Sequence, residues 1–230
     1  MYGAKKLDEH NYKKIYQMVD DLAEQMHIPR PQLWLITSNM ANAFATGRSP
    51  KHASVAITTE ILNILEPHEL RGVLAHELAH VKNRDILVAT IAATIAGAIG
   101  YLASMLRWTM FFGNRERRGN DGTIGALLAV IFMPIAAMLI QLAISRSREY
   151  LADESGSEYS EDPLALASAL EKLHSNIATH HFEPKSYTEA STASLFIMYP
   201  FVGKGLLALF STHPPVEKRI AKLRQMAGII

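Results

Sequence analysis

His76-Glu77-Leu78-Ala79-His80 sets two imidazoles four residues apart with a carboxylate between them. In a helix, residues i and i+4 share one face, so both rings can reach one divalent cation. Glu77 then turns toward a further coordination position where a water can sit. A Zn²⁺ held this way acidifies the water, Glu77 takes its proton, and the oxygen attacks a polarised peptide carbonyl. The spacing therefore points to hydrolysis of a peptide bond, with His76 and His80 as metal ligands and Glu77 as general base. An amphipathic helix carrying two surface histidines would show the same letters, so the remaining chain must supply a third ligand and a fold that delivers it.

A catalytic zinc takes three protein ligands and keeps a fourth position open. With no cysteine in 230 residues, disulfides and thiolate sites are excluded, and a zinc must be held by histidine and carboxylate. A histidine six residues after His80 would extend the motif, but position 86 is Ile86. No acidic residue occurs between Asp85 and Glu116, and Glu116 lies in an arginine-rich loop at the far end of an apolar hairpin. The remaining strong candidate is Glu149, within Ser145-Arg146-Ser147-Arg148-Glu149-Tyr150-Leu151-Ala152-Asp153-Glu154. Asp153, one helical turn on, faces the same way and could accept the second N–H of a ligating imidazole, fixing its tautomer.

The elements that bring these groups together are legible in the apolar pattern. Residues 86–106 and 123–144 each run without a charged side chain, and the first covers roughly 31 Å as a helix, enough for a bilayer's hydrocarbon core. Both read as membrane helices forming a hairpin, and Ala93/Gly97 and Ala96/Gly100 offer small residues for close helix packing. His80 lies six residues before the first run and Glu149 five after the second. Antiparallel helices would return Glu149 to the same side of the membrane as His80. A fully buried helical pair of a soluble protein is the competing reading. The polar Lys82-Asn83-Arg84-Asp85 keeps the histidines near the membrane surface but outside it.

Around this hairpin the chain reads as mainly α with a small β-sheet, an α+β domain of residues 1–85 and 145–230 interrupted at 86–144. The residues after Met1 are polar and lack the apolar core of a secretory signal. Asp8 to His27 reads as an amphipathic helix on Ile15, Met18, Val19, Leu22 and Met26. Residues 32–37, 42–46 and 54–58 read as short strands. Asn42-Ala43-Phe44-Ala45 is the candidate sheet edge that would hold an extended peptide by main-chain hydrogen bonds; an ordinary core strand fits it equally. Short and long helices are expected over 59–65 and from Pro67 onward, and another from Asp162-Pro163 to about Ile177. The polar stretch to Ser194 reads as irregular, and Leu195 to Phe210 as apolar but too broken to span a membrane. His213, followed by Pro214-Pro215 at a helix start, is stiffly placed and could hydrogen-bond a developing oxyanion, with Arg219 adding positive charge. Taken alone, such a histidine is more often structural. The net charge of +1 gives no bulk electrostatic reason to expect nucleic acid.

His-Glu-Leu-Ala-His, Ser-Arg-Glu-Tyr-Leu-Ala-Asp-Glu and Ser-Thr-His-Pro-Pro-Val-Glu-Lys-Arg-Ile occur in this order, with a hairpin between the first two and Asn42-Ala43-Phe44-Ala45-Thr46-Gly47 upstream. The set resembles HtpX-type membrane zinc metalloproteases, the stress-related bacterial branch of the family that includes the CAAX prenyl protease. The resemblance implies a gluzincin-like zinc peptidase domain with one Zn²⁺ per chain, ligated by His76, His80 and Glu149. It implies Glu77 as base, Asp153 behind a ligand, and His213 with Arg219 near the transition state. It further implies membrane-protein or unfolded polypeptide substrates and an inner-membrane location with the catalytic part in the cytoplasm. Family members carry two further membrane helices ahead of this region, which implies that the sequence is a piece of a longer chain. A cytoplasmic catalytic part would put Arg107, Arg115, Arg117 and Arg118 across the membrane, against the positive-inside rule. Either Lys82, Arg84, Arg146 and Arg148 balance them, or the hairpin does not fully cross. A rival class, a membrane scaffold or chaperone-like adaptor with a vestigial zinc site, has no use for Glu77.

Overall fold

The structure, a computed structural model, describes residues 3–112, 120–179 and 213–229. The readings made for 180–210, and for Arg115, Glu116, Arg117 and Arg118, lie outside them. The chain divides into two compact units, Met1–Leu87 with Arg146–Ile230, and Val88–Ser145.

The first unit holds a mixed four-stranded sheet. Strands β1 (Lys5–Lys6), β2 (Gln32–Ile36), β3 (Ala43–Thr46) and β4 (Ser54–Thr58) lie in the order β1-β2-β4-β3. β2 and β4 are parallel, and the outer pairs are antiparallel. Val55, Ala56, Ile57 and Thr58 are all buried, as a central strand covered on both faces requires. β3 is an edge strand, with Phe44 and Ala45 half-buried and Thr46 exposed. It starts one residue later than the sequence pattern suggests. Asn42 is held against the sheet instead, donating its N–H to Thr58 Oγ1 (2.9 Å) and accepting Thr58 N–H (3.0 Å). The two-residue β1 has no sequence signature of its own.

Helix α1 (Lys13–Gln25) buries Ile15, Val19 and Leu22 along one face. It begins five residues after Asp8, because the Asp8 carboxylate accepts the His10 N–H and the Asn11 amide, which holds that stretch as a turn. α2 (Thr59–Ile64) is capped by Thr58 Oγ1, which accepts the Ile61 N–H.

α3 (Pro67–Lys82) carries the His-Glu-Leu-Ala-His stretch. Pro67 starts it, and Glu66 and Glu69 cap it reciprocally. Glu69, 2% exposed, also accepts hydrogen bonds from Ser168 Oγ (2.6 Å) and Lys172 Nζ (2.7 Å) of α6 (Pro163–Thr179). Burial pushes its carboxyl up, but the bonds from Lys172, Ser168 and the Glu66 N–H outweigh that and hold it below its usual value. A Cβ on Gly72 would lie 3.0 Å from Leu166 N, so α3 and the start of α6 meet almost backbone to backbone. Every residue of α3 from Glu69 to Ala79 except Arg71 is buried. This helix is therefore a central element of the unit and not an amphipathic surface helix.

Helices α4 (Asp85–Phe112) and α5 (Asn120–Ser160) are, by length and composition, apolar enough to cross a membrane. In the most apolar 18-residue stretch of each, only 6% and 17% is buried. A core helical pair would be mostly buried, so the outward faces await another apolar phase. Pro134 lies inside α5. A Cβ on Gly97 or Gly100 would meet nothing within 4 Å, so among the described residues these glycines do not serve a close helix contact. α5 continues beyond its charge-free part into the first unit, and α7 (Val216–Met226) buries Val216, Arg219 and Leu223 there.

Candidate metal centre

Nε2 of His76 and Nε2 of His80 lie 3.1 Å apart. Glu149 Oε1 is 3.6 Å from His80 Nε2, and Oε2 is 3.9 Å from His76 Nε2. Donor atoms of the three residues all fall within 4.8 Å of one another. A tetrahedral ion with ligand bonds of about 2.0–2.1 Å spaces its donors by roughly 3.4 Å. The opposite ring nitrogens both face carboxylates. His80 Nδ1 is 2.6 Å from Asp85 Oδ2, and His76 Nδ1 is 3.0 Å from Asp153 Oδ1, in contact though off the ideal hydrogen-bond angle. Protons at both Nδ1 atoms leave two Nε2 lone pairs pointing at one small volume beside a carboxylate. Among the described residues, Glu149 Oε2 is itself buried without an aligned hydrogen-bond partner. Three converging acceptors repel one another unless a cation lies between them, so the donor set fits a divalent metal.

Close backbone packing makes this convergence possible. A Cβ on Gly156 would fall 2.8 Å from His76 N and 2.9 Å from its Cα, so α5 lies directly on the α3 backbone at the first histidine. Glu149, Asp153 and Gly156 recur at helical spacing and share that face of α5.

Electrostatics organise the surroundings. Arg219, 2% exposed, donates from Nε to Asp153 Oδ2 (2.8 Å) and from Nη2 to Asp153 Oδ1 (2.6 Å). Its Nη1 is 3.5 Å from Glu149 Oε2. Burial disfavours the guanidinium charge, but Asp153, Glu149 and Glu77 more than restore it, so Arg219 stays protonated. Burial likewise pushes the Asp153 carboxyl up, and Arg219 with His76 brings it down to about 2. Glu149 is held well below the usual carboxylate range: burial is overcome by His213, His80 and Arg219. His213 Nδ1 sits 3.2 Å from Glu149 Oε2. Glu77 differs. Burial pushes its carboxyl up, Glu149 adds to this, and His76, His80 and the Ala45 N–H only partly counter it. Glu77 Oε2 accepts that Ala45 N–H at 2.8 Å, which ties the sheet edge to the centre.

The structure thus brings His76, Glu77, His80, Glu149, Asp153, His213 and Arg219 into one cluster. Of the candidate edge residues, Ala45 joins it directly and Ala43 and Phe44 continue β3, while Asn42 stands outside the strand. Arg219, expected simply as added positive charge, is clamped on Asp153 and braces the carboxylates. Three contributors are not evident from sequence spacing. Asp85 partners the second histidine, and Arg148 pairs with Asp85 and donates to the Asn83 carbonyl at 3.0 Å. Gly156 permits the helix contact. An acid five residues after His80 and a glycine two turns after Glu149 were the available signals.

The sequence is 52% identical over 230 residues to a "Protease HtpX homolog" of Persephonella marina, covering 99% of this chain and 79% of that protein. It is 49% identical over 233 residues to one of Aquifex aeolicus, covering 99% and 76%, and 50% identical over 228 residues to one of Thermococcus kodakarensis, covering 98% and 78%. Among solved structures, that of S. mikatae Ste24p shares the fold with a TM-score of 0.63 at 20% identity, over 96% of this chain and 52% of that one. This chain therefore spans about half the length of that protein. The model of peptidase family M48 matches residues 9–227, and with that match and these relatives the chain belongs to peptidase family M48.

Proposed function

We propose that this chain is a membrane-anchored zinc endopeptidase, with His76, His80 and Glu149 as ligands and Glu77 as general base. The observation that carries the reading is the convergence of His76 Nε2, His80 Nε2 and the Glu149 carboxylate beside a buried Glu77 fixed by the Ala45 N–H. A zinc ion here would polarise the scissile carbonyl and make a water acidic enough to ionise near neutrality. Asp85 and Asp153 hold the two imidazoles with Nε2 turned to the centre, where that of His76 also lies 3.5 Å from Arg219 Nη2. Glu77 accepts one proton as the water oxygen bonds to the carbonyl carbon, and delivers it to the amide nitrogen as the C–N bond breaks. His213, beside Glu149, would donate a hydrogen bond to the oxyanion. The Ala43 N–H and C=O and the Ala45 C=O point away from β4 by the antiparallel alternation and would pair with an extended substrate whatever its side chains, the Ala45 N–H being held by Glu77.

Main-chain recognition suits unfolded or damaged polypeptides. The two apolar helices would keep the enzyme at a bacterial inner membrane, with the catalytic unit on the cytoplasmic side and membrane proteins among its substrates. Zinc analysis and casein cleavage test this together. Wild type should carry one zinc and cleave. Glu77→Gln should keep the zinc and lose cleavage, and Glu149→Ala should lose cleavage and bind zinc far more weakly. Cleavage undiminished in Glu77→Gln would overturn the reading in favour of another base or a scaffold role.

A further inference from the structure

A groove of about 500 Å³ runs beside the centre, sharing His80 and Ala45 with it. One wall is the loop that follows β3. Gly47 there has φ +136°, and a Cβ on it would lie 2.3 Å from the His52 carbonyl oxygen, so the wall is tightly folded on itself. The opposite wall is the end of α3 and the residues leading into α4, and the C-terminal end of α1 closes one side.

The lining is strongly one-signed. Arg48, Lys51, Lys82 and Arg84 face one acid, Asp85, which His80 and Arg148 already occupy. Lys82 is engaged by the Tyr159 hydroxyl and ring. Arg48 reaches only the His52 ring, and among the described residues Arg48, Lys51 and Arg84 form no ion pair. The backbone is unusual at the same place. Among the described residues three non-glycine residues have positive φ, each just after a helix, and two of them, His27 (54°) and Arg84 (55°), line this groove. Glycine or asparagine takes that conformation at less cost. His27 and Arg84 both end a helix, with the His27 N–H on the Glu24 carbonyl and the Arg84 N–H on the Val81 carbonyl, and both carry basic side chains.

We propose that this groove is a substrate subsite that selects a carboxylate side chain, Asp or Glu, within three residues of the scissile bond. It rests on the peptidase reading above. A peptide paired with β3 advances about 3.3 Å per residue, so two residues past Ala45 its side chains reach the Gly47 wall and the cations across from it. Uncommitted guanidinium and ammonium groups in a partly enclosed groove then favour an acid over its amide.

The test uses the full chain, zinc-loaded, in detergent micelles, with quenched fluorescent peptides cut at one bond. Each position on either side of that bond carries Glu, Gln or Lys in turn. At one position kcat/KM should be about fivefold higher for Glu than for Gln, the combined effect of two partly exposed ion pairs, and lower again for Lys. The preference should shrink in 0.5 M salt. Lys51→Gln/Arg84→Asn, in which asparagine keeps the left-handed backbone, should bring the Glu-to-Gln ratio close to one while zinc content and melting temperature stay as in wild type. Equal rates for Glu and Gln at every position, or a preference that survives the double variant, would overturn the proposal and leave the peptidase reading standing. No cleavage of any peptide by zinc-loaded wild type would overturn both. If the double variant alters only the response to phosphatidylglycerol vesicles, the groove holds a lipid headgroup and the peptide proposal falls.

Discussion

Replacing Gly156 with alanine adds one methyl group at the point where α5 crosses α3. That carbon would meet His76 N at 2.8 Å, His76 Cα at 2.9 Å and Ala75 C at 3.1 Å. Favourable carbon contacts begin near 3.5 Å, so the helices must separate by about 0.6 Å, and the atoms struck are backbone and cannot rotate aside. Overpacking of this kind costs about 1–3 kcal/mol. For the middle of that range the melting temperature should fall by about 4–8 °C. The displacement also has a direction, because His76 stands on one helix and Glu149 and Asp153 on the other. If half of that ~2 kcal/mol cost falls on the ligand geometry, the zinc dissociation constant rises about fivefold. Competition with a fluorescent chelator reads the affinity, and a melt of the zinc-free protein reads the packing cost separately. Gly97→Ala is the matched control, since its Cβ would meet nothing within 4 Å. Wild-type zinc affinity and melting temperature in Gly156→Ala would refute the claim that backbone contact at this glycine sets the ligand geometry.

Asp85→Asn should weaken zinc binding about 10- to 100-fold by freeing the His80 ring while leaving all three ligands present; unchanged affinity in chelator competition would deny Asp85 that role. Arg219→Met leaves the buried Asp153 and Glu149 carboxylates without their counter-charge and should cost about 3–5 kcal/mol in a denaturant melt, and a variant as stable as wild type would contradict the bracing assigned to it. Glu69 links stability to acid. Its carboxyl is held below its unfolded value, so its contribution is complete above the unfolded pKa of about 4.3 and disappears as pH falls through the folded one. The stability gap between wild type and Glu69→Gln should therefore be widest near neutral pH and narrow in acid, and a gap that widens toward pH 3 would reverse the sign of that argument.

How much of this was readable in the letters depends on distance along the chain. His76, Glu77 and His80 follow from local spacing, and Asp153 follows from Glu149 by one turn. Glu149 was reachable because the charge-free runs on either side of the hairpin end at similar distances from the two motifs. The helices bearing Ile15, Val19 and Leu22, or starting at Pro67 and Pro163, carry strong periodic and capping signals. Sheet order does not. β2 and β4 pair in parallel with β3 lying outside them, an arrangement set by the burial of Val55 to Thr58 on both faces and by the pinning of Asn42 to Thr58. Asp85 reads as part of a polar spacer until α3 ends at Lys82 and the positive φ of Arg84 turns the chain. Gly156 looks like a weak point in a helix until His76 is seen against it. Arg219 shows its role only when α7 delivers a guanidinium to an aspartate 66 residues earlier.

X-ray absorption at the zinc K-edge on the zinc-loaded protein tests the centre itself. Two imidazole nitrogens with oxygen donors, all at about 2.0–2.2 Å, should surround the ion in wild type, and Glu149→Ala should lose the ion or replace a protein oxygen with water while both imidazoles remain. A zinc with one imidazole, or a Glu149→Ala spectrum indistinguishable from wild type at full affinity, would contradict the assignment of His76, His80 and Glu149 as a single metal site.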